Sequence, residues 1–286
     1  TLTANPRAVS LTPREPIVVD LVYRLESRLP PARTPRGLAD SDSRIPRRFY
    51  AVVAQGGDCA CRFNLYGAPS RPLAAEERSE FKGIAIGFMT PYDESTRERV
   101  YFERPGRYTL TVHGGGLVSE PIELAIREPR GDEIHALGIW RGVGLIGTVS
   151  MVLEQKGSPE VIDAFRKLAT DYKHTPYGRY ALASMALWDF KQAVKEFNNE
   201  GGATVWEPVA RQLREALVDG IPLLRKKTLM NLASAETLAR NYDGARQAMA
   251  KVQAEFSDEA TQIQARDFLN FLATQRSHPK KTASDR

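Results

Sequence analysis

The chain has two cysteines and four histidines in 286 residues, and each scarcity excludes something. Two cysteines cannot staple a small disulfide scaffold, so stability has to come from apolar cores. None of His113, His135, His174 and His278 stands in a His-x-x-x-His or His-Glu-x-x-His pattern, so a zinc hydrolase has no support. Long apolar runs are also missing. The most apolar window, Ala136 to Leu153, holds Arg141 and four glycines. A bilayer span needs roughly 20 predominantly apolar residues, so this window reads as a buried helix, and peripheral membrane association stays open. Lysine is almost absent from the first part, where Lys82 is the only one before Arg130. Net charge is +3 up to Arg130 and +2 after it, with neither part showing the strong basic excess of a nucleic-acid binder.

Motifs for chemistry are equally sparse. There is no Gly-x-Ser-x-Gly elbow. Gly114-Gly-Gly116 lies between strand-like runs and lacks the Lys-Ser/Thr of a phosphate loop, so it reads as a hairpin turn. Glu76-Glu77 and Asp93-Glu94 fall in turn-like contexts without the alternating oxygen ligands of a calcium loop. Cys59 and Cys61 would face the same side of a strand. Three readings compete for them: two small core residues, a strained Cys-x-Cys disulfide, or a soft-metal site on two thiolates. No catalytic, cofactor-binding or metal residue is assigned, and no cofactor is expected.

What is present falls into two patterns. Up to about residue 128 the chain alternates short β-branched runs with turn signals: Ile17–Tyr23, Phe49–Ala54, Cys61–Tyr66, Ile84–Phe88, Val100–Phe102, Tyr108–Val112 and Ile122–Ile126. Seven short strands at such spacing argue for a β-sandwich. Phe102-Glu-Arg-Pro-Gly-Arg-Tyr-Thr-Leu-Thr-Val112 resembles the late strand of an immunoglobulin-like domain, and Ser119-Glu-Pro-Ile-Glu-Leu124 is similar to the last strand of bacterial modules of that kind. The resemblance implies that Tyr108 is a corner tyrosine bonding back to the chain. Residues 24–48 form a Pro/Arg-rich insertion with too little apolar content to fold alone.

Glu128-Pro-Arg-Gly-Asp132 breaks both patterns and reads as a joint. From 133 to 275 apolar residues recur at helical spacing, and 276–286 is a polar tail. Val161, Phe165, Leu168 and Tyr172 lie on one helical face after Ser158-Pro159. Thr175-Pro176 opens a second helix, and Phe190, Ala193, Val194 and Phe197 form a third run. Further helices are expected at Pro208–Val218, Pro222–Asn241, Ala245–Glu255 and Glu259–Gln275, the last capped by Ser257 or Asp258. Ala164, Leu168 and Pro176 resemble the spacing of a tetratricopeptide repeat, and Ala235, Leu238, Ala239, Tyr242, Gly244 and Ala248 give a second, shorter match. The resemblance implies a helical scaffold that binds other proteins.

The expected fold is therefore α+β in two domains, an immunoglobulin-like sandwich (1–128) followed by tetratricopeptide-like helical hairpins (133–275). The expected role is a non-catalytic, protein-binding or structural subunit of an exported cell-envelope or extracellular assembly, in the periplasm or at the cell surface. The absent initiator Met fits a processed form. Arg33, Arg36, Arg44, Arg47 and Arg48 are the candidate partner-docking residues; Asp40 and Asp42 interrupt the cluster, against nucleic acid. Two alternatives stand beside this: an enzyme or accessory subunit with a motif-less cleft around residues such as His135, Trp140 and Glu207, and a carbohydrate-binding sandwich. A cytoplasmic regulator is the alternative location.

Overall fold

Alternation of apolar and polar residues builds the N-terminal sheet. Ile17, Val19 and Leu21 are fully buried, and Leu2 and Ala4 face inward with exposed residues between them. Tyr108, Leu110 and Val112 repeat the pattern, as do Leu124 and Ile126. A computed structural model describes residues 2–6, 8, 10–15, 17–24, 50–55, 61–66, 78–86, 92–93, 98–99, 104–114, 117–200, 205–218 and 221–276. The chain is mixed α/β, with its strands in the N-terminal part and its helices in the C-terminal part. It separates into two compact units, Thr1–Leu137 and Gly138–Arg286.

In the first unit the strands are β1 (Leu2–Pro6), β2 (Ser10–Leu11), β3 (Ile17–Arg24), β4 (Tyr50–Gln55), β5 (Cys61–Tyr66), β6 (Arg78–Ile86), β7 (Tyr92–Asp93), β8 (Glu98–Arg99), β9 (Gly106–Gly114), β10 (Leu117–Val118) and β11 (Ile122–Ile126). The main sheet runs β1-β3-β6-β5-β4-β9-β11-β2, with β10 on β9, while β7 and β8 pair separately. Every pairing is antiparallel except β2 with β11, which is parallel. β5 changes partner along its length: Cys61 to Asn64 pair with β4, and Leu65 and Tyr66 pair with β6. The segment 2–11 likewise leaves β3 and joins β11. The register of β3 on β6 shifts between Val19 and Leu21, a bulge centred on the polar Asp20.

Sequence periodicity undercounted these strands. The polar-looking first 16 residues carry β1 and β2, and β6 starts at Arg78 rather than Ile84. Both hide because partner strands, not their own composition, hold them. Gly114 pairs with Leu117, and His113 with Val118, while Gly115 and Gly116 lie outside the described residues. The Val100–Phe102 strand, the 25–49 segment and the 277–286 tail lie outside the described residues.

The helices are α1 (Asp132–Val149), a π-helical turn at Ser150–Glu154, α2 (Pro159–Asp171), α3 (Pro176–Glu200), α4 (Trp206–Val218), α5 (Pro222–Leu238), α6 (Tyr242–Glu255) and α7 (Glu259–Arg276). From α2 onward each helix packs on the next in sequence, and α5 also reaches back to α3. Trp140 centres the core of the second unit, with ring centroids 5.5 Å from Phe165, 5.7 Å from Tyr177 and 6.2 Å from Tyr180. Two helical expectations are corrected. The second and third runs after Thr175 are one continuous 25-residue helix, because nothing between Trp188 and Phe190 breaks the backbone. The apolar window is not one buried helix. Gly144 takes φ 72° and ψ 168° inside α1, and Gly138, Arg141, Gly142 and Ile146 are exposed.

The α2–α3 turn is closed by Thr175. Its hydroxyl donates to the Tyr172 carbonyl (2.8 Å) and accepts from the Gly178 amide (3.1 Å). A Cβ at Gly178 would collide with the backbone of Tyr172 and Lys173. Gly178→Ala should therefore destabilise the protein by about 3 kcal/mol or leave it insoluble. Gly138, exposed in α1 with nothing near its absent Cβ, is the control. Gly138→Ala should gain up to ~1 kcal/mol, because the helical backbone loses less entropy. Urea unfolding of the two variants reads the contrast.

Candidate functional site

Only some of the residues singled out by sequence fall among those the structure describes. Arg33, Arg36, Arg44, Arg47 and Arg48 lie outside the described residues, as do Cys59 and His278. Cys61 opens β5 in register with Val53. His113 lies in β9, its Nε2 3.2 Å from the Thr111 hydroxyl. His135 and His174 are exposed, and Thr175 rather than His174 caps α3. His135, Trp140 and Glu207 are each described by their own surroundings. Trp140 is enclosed by aromatic rings, Glu207 is held by Arg214 (3.1 Å), and His135 is exposed. Among the described residues no group of three or more His, Cys, Asp and Glu is placed to hold a metal ion.

What the helices bring together instead is a polar and aromatic patch on α2, α3 and α4. Arg166 of α2 holds its guanidinium carbon 5.5 Å from the centre of the Trp188 ring and pairs with Asp163 at 3.6 Å. Next to Trp188 on α3 is Asp189. Burial pushes its carboxyl above the usual carboxylate range, against the charge of Arg166 and a hydrogen bond from Gln212 of α4. Further along α3, Phe190 and Phe197 pack on Trp206 with centroids 6.0 and 5.8 Å apart. Phe197 remains 39% exposed and Val205 68% exposed, so apolar surface continues past the patch.

The sequence reading did not find this patch. No motif in the sequence singles out Arg166, Trp188, Asp189 or Gln212. Spacing would have put Arg166 and Trp188 near each other only once α2 and α3 were paired antiparallel.

A set of ionic ties runs from α5 to its neighbours. Glu236 is 2% exposed and accepts from Arg214 Nε of α4 (2.7 Å) and Asn241 Nδ2 (2.7 Å). Asn241 in turn caps α6 by accepting from the Gly244 amide (3.1 Å). Arg225 binds Glu255 through two bonds of 2.5 and 2.7 Å, and Lys226 reaches Asp258 at 3.1 Å. Asp258 also caps α7 by accepting from the Thr261 amide and hydroxyl. Burial alone would raise the Asp258 carboxyl; the Thr261 donors and Lys226 hold it below its usual range. Lys227 bonds the buried Gln155 side chain and the Leu153 carbonyl, joined by Lys191 on the Glu154 carbonyl (3.1 Å). Burial and the neighbouring Lys191 lower the Lys227 ammonium below its ordinary range.

Comparison with protein-family models, with curated proteins and with solved structures returns no match to this chain.

Two outcomes test the geometry. Arg214→Ala leaves the buried Glu236 without its cation and should cost about 3 kcal/mol, whereas Glu207→Ala removes an exposed partner and should cost under ~0.5 kcal/mol. Denaturant titration of both separates the buried tie from the exposed one. Asp189 carries the opposite sign. Its folded pKa lies above the unfolded value, so the ionised carboxylate at neutral pH disfavours folding. Asp189→Asn should raise the melting temperature at pH 7, and the gain should vanish once pH falls below about 4, where both states are protonated. A gain that persists at pH 3 would mean packing, not charge, sets the effect.

Proposed function

We propose that this chain is a non-catalytic, protein-binding or structural subunit of an exported assembly, with Arg166, Trp188, Asp189 and Gln212 at the centre of its contact surface. The observation that carries the reading is Asp189. A carboxylate held partly buried at a cost to folding, between a stacked Arg–Trp pair and an amide, is better explained by what it meets than by what it does for the fold. Trp and Arg are the residues that most often dominate protein interfaces.

The architecture we infer is an immunoglobulin-like sandwich followed by tetratricopeptide-like hairpins. Three observations support the first. The N-terminal strand leaves β3 and pairs parallel with the last strand, β11. The sheet pairs β3 with β6 and β4 with β9 across the sequence, so it is not a simple meander throughout. The Tyr108 hydroxyl donates to the Arg104 carbonyl at 2.7 Å, the backward bond implied for a corner tyrosine. The helical part is supported by packing of consecutive helices, the arrangement in which stacked repeats bury a continuous core. A short turn between α5 and α6, residues 239–241, matches the second repeat-like stretch. Export to the envelope rests on a resemblance: Asp171-Tyr-Lys-His-Thr-Pro-Tyr-Gly-Arg-Tyr-Ala-Leu-Ala183, across the α2–α3 junction, looks like the repeat junction of bacterial envelope proteins with such helices.

The test is photo-crosslinking from position 188 in cells of the source, followed by size-exclusion chromatography of the native protein. A defined partner crosslinked at 188, whose co-elution is lost in Arg166→Glu and Trp188→Ala while the melting temperature holds, is the expected result. A monomer with no crosslink at 188 would overturn the reading.

A further inference from the structure

Among the described residues of the helical unit, four arginines are partly buried: Arg179, Arg214, Arg225 and Arg246. Three of them have an acid. Arg214 binds Glu236 and Glu207, Arg225 binds Glu255 through two nitrogens, and Arg246 pairs with Asp243. Arg179, in the first turn of α3, has no carboxylate partner among the described residues, and its buried Nε makes no hydrogen bond. Arginine is rarely buried unless paired. A buried donor with no acceptor costs more when it belongs to a charged group. Nothing in the fold offsets that cost at Arg179.

Arg179 precedes Phe190 by 11 residues and Phe197 by 18, close to three and five whole helical turns. It therefore shares the stripe of α3 whose rings meet Trp206 of α4. The charged groups beside it at the α2–α3 turn are matched, Lys167 with Asp171 at 2.8 Å and Lys173 with Glu215 of α4 at 3.9 Å. The guanidinium of Arg179 is the one positive charge left over from that set.

We propose that Arg179 receives a carboxylate from an acidic segment of a partner protein. One carboxylate neutralises the single charge left over. A phosphate, at nearly two negative charges, would leave an excess beside Asp171 and Glu215. Arginine buries its stem and keeps its charged head towards water. With Nε shut in and the residue still partly exposed, the two outer nitrogens remain for a partner, in the fork that matches two carboxylate oxygens. The buried Nε also fixes the fork beforehand, so less freedom is lost when the acid arrives. This inference rests on the protein-binding reading for the kind of molecule that brings the carboxylate. It adds a second point of contact, because Arg179 is nine residues from Trp188, about two and a half turns, and so on another side of α3.

The test follows the Arg179 Nε–H signal of the full chain by NMR, assigned by its loss in Arg179→Lys. Hexaglutamate, hexaglutamine and inorganic phosphate are titrated in turn at constant ionic strength. Hexaglutamate should shift the signal saturably, and hexaglutamine should not move it. The Nε–H of Arg225, already held by Glu255, should stay in place. In the free chain Arg179→Met keeps the stem and removes the unpaired charge, so the melting temperature should hold or rise. A fall of several degrees would assign the guanidinium to an internal tie and overturn the proposal. So would an unmoved Arg179 signal, an equal shift at Arg225, or tighter binding of phosphate than of hexaglutamate. A partner crosslinked at 188 with an unmoved Arg179 signal would sink this inference alone. A saturable shift at Arg179 with no crosslink at 188 would support carboxylate binding here and sink the contact surface around Trp188.

Discussion

The helical unit depends on the buried carboxylate of Glu236. A charge at 2% exposure is costly unless every oxygen is engaged. Here one oxygen takes the guanidinium of Arg214 and the other takes the amide of Asn241, whose own oxygen then caps α6. One side chain of α5 thereby sets the approach of α4 and the start of α6. Such a network specifies register more than it adds stability: an apolar replacement of the right volume could be as stable, but it would not dictate where α6 begins. The basic run Arg225-Lys226-Lys227 extends the same logic. Each member binds a different element, namely α6, the cap of α7, and the π-helical turn. Three consecutive residues on a helix point in different directions, about 100° apart, so a charge run can tie three neighbours at once.

Close approach is the second constraint. Thr175 and Gly178 let α3 start against the end of α2 with no room for a methyl group. Tight hairpins of this kind put α2 and α3 in contact early along their length, and the Trp140 ring cluster fills the space they enclose. Because α3 has 25 residues and α2 has 13, the pairing must run out before α3 ends. Lys191 marks that level by bonding carbonyls just ahead of α2. The exposed aromatic surface around Phe197 follows from the mismatch in length, and so does the location of the Arg166–Trp188–Asp189 patch beside it.

Much of this was legible in the sequence, for reasons that differ by element. β3, β5 and β11 were found at nearly their observed bounds because strong β-branched alternation needs no partner to be recognised. β1 and β2 were not, since Leu2, Ala4 and Leu11 are buried only by strands that arrive later in the chain. The helix starts at Pro159, Pro176 and Pro222 were fixed by proline and held in the structure. Ser158 holds the cap position of α2 without bonding its amides through the side chain, so the cap rule located the end while misassigning the bond. The kink at Gly144 was missed because glycines inside an apolar window signal several things at once. The patch was missed for a deeper reason: Arg166, Asp189 and Gln212 come from three helices, and no local rule links residues whose only relation is packing.

Two features of the helical unit are of opposite kinds. At Asp189 the chain keeps a charge where folding would favour a neutral group; at Ile146 it keeps an apolar side chain where water would favour a polar one. Elsewhere in the helical unit local rules and packing agree: caps are occupied by Thr175, Asn241 and Asp258, and the most buried carboxylate has its cation. Simple substitutions were open to the sequence at both places, though Arg179 Nε is also buried without a hydrogen-bond partner and Val205 and Val218 are also exposed. Asparagine at 189 would keep the hydrogen bond to Gln212, and serine at 146 would suit an exposed bend. Neither change touches the core. We therefore read the retained charge at Asp189 as part of the proposed contact surface.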